Sequence, residues 1–365
     1  MKTTPLHAAH AALKAKTGPF AGYEMPLYYP EGVMKEHEWT RAHAGLFDVS
    51  HMGQVILEGP GAAQFWERVT PSAFTKTKIG RAKYTVLTNE AGGILDDLIV
   101  TRLDDEKFYV VLNAGRKDED LKWIKSHLPP SLSLIYEEDK ALIALQGQAA
   151  VKVMFDEFGV DLKDMEYMTG RYVDLHGVKG FVSRLGYTGE DGFELSVPGS
   201  GAAKIWDGLL THDDVKPIGL AARDSLRLEM GYCLYGHDID ETTTPVEAGL
   251  RWVIGKENKD FIGASVVRAQ MEDGPARKRV GVRLLDKGVA REGTVLRNEA
   301  GDEIGTLTSG GFSPTLKISV GQGYVDAVHA ASGTKILADV RGRMIAAEIC
   351  AMPFMQAKTK AAKAA

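Results

Sequence analysis

The chain has 365 residues, of which 44% are hydrophobic, 25% charged and 8% aromatic, with a formal net charge of −5. That length exceeds one typical core and points to two or three domains, while the acidic balance supplies no overall basic field for nucleic acid. Two cysteines, Cys233 and Cys350, exclude a disulfide framework and a cysteine-rich zinc site, and no run of about 18 apolar residues supports a membrane span. A reducing compartment fits. The N-terminus carries neither an apolar signal core nor an arginine-rich leader, so a bacterial cytosol is expected, and a mitochondrial matrix only if a transit peptide has been removed.

In chain order, Thr3-Thr4-Pro5 precede a short helix predicted over His7 to Lys16. Gly22 to Pro30 reads as a rigid aromatic loop with two prolines, and Val33 to Ala44 as a helix ended by Gly45. Leu46 to Leu57 reads as a strand turning at Gly53. His37, His43 and His51 lack an i, i+4 pairing with glutamate or any ligand spacing, so they are read as structural or surface residues. A helix over Ala62 to Val69 follows, then two strands within Tyr84 to Val100, joined by the turn Asn89-Glu90-Ala91-Gly92-Gly93. Asp96 and Asp97 are adjacent in an apolar strand, so one of them points inward. A carboxylate against apolar neighbours is costly unless paired, which makes it a functional acid or base or a tie for a nearby turn.

A strand over Phe108 to Ala114, a charged helix over Lys117 to His127 stopped by Pro129-Pro130, a strand over Ala141 to Gly147 and a helix from about Ala149 to Phe158 continue the alternation. Ser183 to Leu195 reads as strand, tight turn, strand; glycines 186, 189 and 192 leave Tyr187, Glu190 and Glu194 free to face either a ligand or solvent. In Gly219 to Tyr232, Ala222, Leu226 and Met230 form the apolar stripe of a helix. Arg223 and Arg227 share another face, suited to an anion or to an ion-pair net with Asp224 and Glu229. His237 to Glu241 lacks the glycine and distal glutamate of a calcium loop. Pro245 to Gly249 reads as a helical turn and Trp252 to Ile254 as a strand. Gly321-Gln322-Gly323 is a lone G-x-G, and no P-loop occurs. The polar stretch Met271 to Arg279 is the best domain boundary, and the short strands after it predict an all-β barrel or sandwich. Lys358 to Ala365 is low-complexity and expected to be disordered.

The segments TPLH, FAGYEMPLYY, GLFDVSHMGQ, LTNEAGGILDDLIV, ALQGQAA, SRLGYTGEDGFEL, GLAARDSLRLEMGYCLYGHDID, TPVEAGL, IGTLTSGGFSPTLK and MPF, in this order, resemble the aminomethyltransferase (T-protein) family of the glycine cleavage system. The resemblance implies an α+β fold of three domains in a clover-leaf arrangement around a central folate cavity. Two mixed, interleaved domains would occupy residues 1–276, roughly 1–52 with 141–276, and 53–140; a β-barrel would take 277–357. It implies transfer of the methylene of an aminomethyl group from the lipoylated H-protein to tetrahydrofolate, the co-substrate, with release of ammonia and no metal. Position by position it makes Asp97 the essential carboxylate and Glu194 the pterin-holding glutamate, with Tyr187 beside it. Arg223, Tyr232, Tyr84, Asn113 and Met52 match positions lining the same cavity. The family's H-protein is acidic, so a basic patch is expected near the cavity mouth, with Arg227, Arg251, Arg291 and Lys317 as its candidates. Two departures stand out: Gln148 replaces a usual proline, and the tail after MPF has no tyrosine, so no C-terminal ligand is assigned. The competing readings are a folate-dependent demethylase on the same fold and a non-catalytic folate-binding relative.

Overall fold

The computed structural model describes residues 1–359. Three sheet systems and a small hairpin organise them. The first sheet runs Thr169–Leu175, Val178–Arg184, Gly192–Pro198, Lys140–Gln146, Ala44–Asp48 and Val215–Pro217 in spatial order. Its inward residues, Leu46, Ile143, Leu145, Phe193 and Leu195 among them, pack against Val153 and Met154 of helix Ala150–Phe158 and Ile205 and Trp206 of helix Gly199–Leu209. The second sheet, Ala82–Thr88, Ile94–Asp104, Lys107–Leu112, Gly53–Glu58 and Ser133–Tyr136, buries Trp66, Phe74 and Phe108 against helices Ala62–Val69 and Lys117–His127. The third is a closed six-stranded barrel, because Arg277–Leu284 pairs with Ile318–Asp326 on one side and Arg343–Cys350 on the other. The fold is therefore mixed α/β with an all-β barrel at its C-terminal end.

The G-x-G at 321–323 belongs to this barrel. A Cβ at Gly323 would sit 2.2 Å from the Thr306 carbonyl oxygen, so the residue serves a close strand approach.

Several local expectations are revised. The first helix spans only His7–Ala12, and Lys14 adopts a positive φ of 57°. The aromatic stretch is a strand, Tyr23–Tyr28, paired with Lys16–Phe20 around Ala21-Gly22, both at positive φ. Pro26 is tolerated because this two-stranded hairpin leaves its strands at an edge. The helix Val33–Ala42 ends before Gly45, which lies inside strand Ala44–Asp48; a Cβ there would lie 2.4 Å from Thr40 Oγ1. Leu46 to Leu57 is two strands in different sheets. The chain turns between them because the buried Asp48 carboxylate accepts hydrogen bonds from the Ser50 N–H (2.9 Å) and the Thr4 hydroxyl (2.6 Å), and pairs with His10 (2.8 Å). Residues 251–253 form a 3₁₀ turn, Arg251–Val253, instead of opening a strand, and Met271 to Asp273 finish helix Ala264–Asp273.

The helix Leu220–Glu229 joins the first sheet to the barrel. Its last residue, Glu229, accepts from Arg41 Nη2 (2.7 Å), Ser313 Oγ (2.5 Å) and Thr315 Oγ1 (2.9 Å), and His37 Nε2 lies 3.2 Å away. Arg227 bonds Asp238 (2.6 Å) and Ser309 (2.9 Å), and Gln322 reaches the same aspartate at 2.8 Å. Past the barrel, the Lys358 N–H donates to the Gly189 carbonyl at 2.7 Å, which ties the chain end to the 185–191 loop. Of the tail expected to be disordered, residues 360–365 lie outside the described residues.

Candidate active site

A cavity of about 1080 Å³ opens where the two sheets, the Leu220–Glu229 helix and the barrel converge. Asp97, Glu194, Arg223, Tyr187, Tyr232, Tyr84, Asn113 and Met52 all line it. They come from strands, loops and a helix spread between residues 52 and 232, so the folding of the sheets against one another is what assembles them.

On one wall, Asp97 projects from strand Ile94–Asp104 and Asn113 stands just beyond the neighbouring strand Lys107–Leu112. The Asn113 amide nitrogen lies 2.8 Å from Asp97 Oδ1, 2.9 Å from the Asp97 carbonyl and 2.9 Å from Asp96 Oδ1, while the Asn113 backbone N–H reaches Asp96 Oδ2 at 3.2 Å. Tyr84, on the adjacent strand, also hydrogen-bonds Asp97. Burial, followed by the negative charge of Asp96, pushes the Asp97 carboxyl up to about 7, against the hydrogen bonds of Tyr84 and Asn113 that favour its charged form. Near neutral pH this group therefore exchanges a proton, as a general acid or base must.

From the first sheet and the helix, Glu194 extends from Gly192–Pro198 and Arg223 from Leu220–Glu229. Burial raises the Glu194 carboxyl to about 7, with the Arg223 charge opposing, and burial lowers Arg223. No described side chain hydrogen-bonds or ion-pairs with Glu194. A carboxyl held in a cavity without a protein partner is set up for N–H donors from a ligand. The Arg223 guanidinium lies 4.7 Å above the Tyr187 ring, which stacks on Tyr232 at 5.8 Å. The Tyr187 hydroxyl donates to the Cys233 carbonyl oxygen and so fixes the ring. Met52, Val49 and Leu142 supply apolar lining.

The 185–191 segment is a seven-residue loop between strands, not a tight turn. Gly186 is required because a Cβ would lie 1.9 Å from Gln146 Oε1. Glu190, expected to be free to face a ligand or solvent, is buried and pairs with Arg41 at 3.0 Å. Arg227 likewise leaves the proposed basic patch: it is buried and paired, and none of Arg227, Arg251, Arg291 and Lys317 lines the cavity. Lys317 pairs with Glu38 at 2.8 Å. The three histidines lie apart, His37 against Glu229, His43 against Asp214 and His51 in the cavity wall. Among the described residues no cluster of three His, Cys, Asp or Glu side chains is arranged to hold a metal.

Sequence reasoning missed several lining residues. His51 is buried, and burial above all, with the Arg223 and Lys117 charges, lowers it to about 3, so its imidazole is neutral. Trp252 is 67% exposed at the cavity edge and stacks on Tyr84 at 5.4 Å. Tyr167 hydrogen-bonds Tyr232, and Arg279 donates to the Gly231 carbonyl at 2.9 Å. His51 sits in a motif already singled out and could have been found there; Trp252 and Tyr167 carry no local signal.

The chain is similar along nearly its whole length to known proteins. Residues 6–258 match the GCVT N-terminal domain family and residues 277–356 the glycine cleavage T-protein C-terminal barrel domain. A Bacteroides fragilis protein named aminomethyltransferase is 41% identical over 360 residues, covering 97% of this chain and 99% of that one. A Dictyostelium discoideum protein named mitochondrial aminomethyltransferase is 41% identical over 99% of this chain and 94% of its own. The crystal structure of glycine cleavage system aminomethyltransferase T from Bartonella henselae superposes with a TM-score of 0.93 at 41% identity, covering 98% of this chain and 99% of that chain.

Proposed function

The chain belongs to the glycine cleavage T-protein family, and from that premise we propose that this glycine cleavage aminomethyltransferase takes its one-carbon unit from the lipoyl arm of H-protein and delivers it to tetrahydrofolate. The products would be 5,10-methylenetetrahydrofolate, ammonia and a dihydrolipoyl arm. The observation that carries this reading is the cavity lined by two carboxyls from different sheets, both brought to about 7, one of them with no hydrogen bond or ion pair to a described side chain.

The residues fit a folate. Glu194 would accept the N–H groups of the pterin edge in bidentate fashion, and Tyr187, Tyr232 and Met52 would exclude water around the ring. Tetrahydrofolate supplies the N5 and N10 amines that receive the carbon. Asp97, oriented by Asn113 and Tyr84, would hold or accept the proton released at that edge and stabilise the positive charge developing beside it. Arg223, fixed over Tyr187, would add a cation for the acidic parts of the ligand.

The test is single-turnover formation of methylenetetrahydrofolate and ammonia from aminomethyl-loaded H-protein. Activity in the wild type and a loss of about a hundredfold or more in Asp97→Asn are expected. A wild type that binds folate but releases no ammonia would move the reading to a demethylase, tested with N- or S-methyl donors.

A further inference from the structure

Behind Asp97 the structure holds two more carboxyls that the reaction does not use directly. Asp96 is fully buried and Asp120, on helix Lys117–His127, is 1% exposed. Asp96 takes two bonds from Asn113, through its side-chain amide to Oδ1 and its N–H to Oδ2. Asp120 Oδ2 is sealed from solvent and meets no N–H or O–H donor. The Asp120 side chain hydrogen-bonds the Asp96 carboxyl, and two carboxyls can bond only through a proton. The groups form a line: Asp97 in the cavity, the Asn113 amide that touches both aspartates of the strand, Asp96, and Asp120. Asp120 also lines a groove of about 300 Å³ together with Arg116, Trp123 and Glu241.

We propose that Asp96 and Asp120 share one proton and act as a positioning pair for Asp97. The negative charge the pair retains orients the Asn113 amide towards Asp97 and sets the pH at which Asp97 takes up its own proton. This inference rests on the proposed role of Asp97, but its geometry does not. Burial and the Asp96 charge push Asp120 up to about 10, and burial raises Asp96 as well, so the pair keeps one proton and one negative charge at neutral pH. The other groups bearing on Asp97 are Tyr84, Tyr187 and Cys233; those near the pair are Arg116, Glu119 and Tyr235. The three around Asp97 are neutral at physiological pH, which leaves Asp96 as the charge that distinguishes Asp97 from an ordinary buried acid.

The experiment is infrared titration of the full chain, with the Asp97 acid band identified as the one Asp97→Asn lacks. Wild type near pH 8.5 should retain one buried acid carbonyl band that Asp120→Asn removes. Asp120→Asn keeps a donor for Asp96, so the Asp97 midpoint should stay within about half a pH unit. Asp96→Asn removes the charge and should lower that midpoint by about one to two pH units. Asp120→Ala removes the hydrogen bond that lowers Asp96, so Asp96 takes up a proton more readily and the Asp97 midpoint should move down, in the direction of Asp96→Asn, which keeps the test decisive if Asp96→Asn fails to fold. The acid limb of kcat/KM should follow the same order. An unmoved midpoint in Asp96→Asn or Asp120→Ala, or an unchanged acid band in Asp120→Asn, overturns the proposal. Because the bands need no turnover, an inactive enzyme with the expected titrations would refute the assigned reaction and not the pair.

Discussion

Asp97→Asn should make the protein more stable at alkaline pH while removing its activity. The asparagine keeps an oxygen for the Asn113 amide, whose bond to Asp97 Oδ1 is 2.8 Å, and deletes only the charge. In the folded chain the Asp97 carboxyl rises from 3.8 to about 7. A carboxyl raised in this way favours folding fully below its unfolded value of 3.8, and that contribution is lost as pH climbs through about 7. At about 1.4 kcal/mol per pH unit the rise corresponds to roughly 4 kcal/mol above neutrality, and relaxation shared with Asp96 halves this to about 2 kcal/mol. The advantage of the variant should be about 2 kcal/mol near pH 8.5 and under about 1 kcal/mol near pH 5, read from urea unfolding at both. A variant less stable than wild type at the higher pH, or a difference that does not change with pH, would refute the electrostatic account of Asp97 and leave only packing.

The same logic extends to other positions. Glu194, raised to about 7 by burial, must be ionised to accept ligand N–H groups, so folate affinity should rise as pH passes from about 6 to 8. Glu194→Gln should flatten that profile and weaken binding by about ten- to a hundredfold in calorimetric titration. Gly186→Ala would drive a Cβ into buried Gln146, which donates to the Leu185 carbonyl at 3.0 Å and accepts from Thr188 at 2.9 Å; a loss of about 3 kcal/mol in urea unfolding is expected, together with weaker folate binding. Glu229→Ala would leave Arg41 with Glu190 as its one carboxylate and take from His37 its carboxylate partner, at a cost of about 3 kcal/mol. Despite burial, the hydrogen bond and charge of His37 lead the partners that hold Glu229 down at about 2, so its contribution is present above the ordinary 4.5 and lost as pH falls towards 2. The variant should therefore show a shallower acid limb of stability than wild type.

The parts of the fold that were legible in the sequence are those governed by local rules. Helix Lys117–His127 fell where periodicity and Pro129-Pro130 placed it, and helix Ala62–Val69 did so as well. The strand pair around Asn89 to Gly93 also formed, because that turn chemistry fixes the hairpin without help from elsewhere. What could not be read was decided by contacts distant in sequence. Gly45 reads as a helix stop, yet it is a strand residue pressed against Thr40 and Ile218. Leu46 to Leu57 reads as one strand because nothing local announces that Asp48 will be gripped by Thr4 and His10, some forty residues earlier.

The site divides along the same line, and the division has a physical origin. Asp97, Glu194 and Arg223 lie in the motif segments that carry the family resemblance, and that resemblance singled them out; the residue pattern alone left open which of Asp96 and Asp97 points inward and whether Glu194 faces a ligand or solvent. Their supporting residues look ordinary: Asp120 is one of three acids in the first turn of a charged helix, Glu229 the last residue of another, and Gln146 the end of an apolar strand. Yet the cavity holds two carboxyls that destabilise the fold once ionised, and such a site persists only if the surroundings are over-determined. The Glu229 cluster ties the Arg223 helix to the barrel, Gln146 anchors the loop of Tyr187, and Asn113 with Asp96 anchors Asp97. Glu229, Gln146 and Asp96 are buried polar groups held by partners that folding alone brings together. Stability lost at the two cavity carboxyls is thus recovered one layer behind them, where a single sequence shows only common residues in common places.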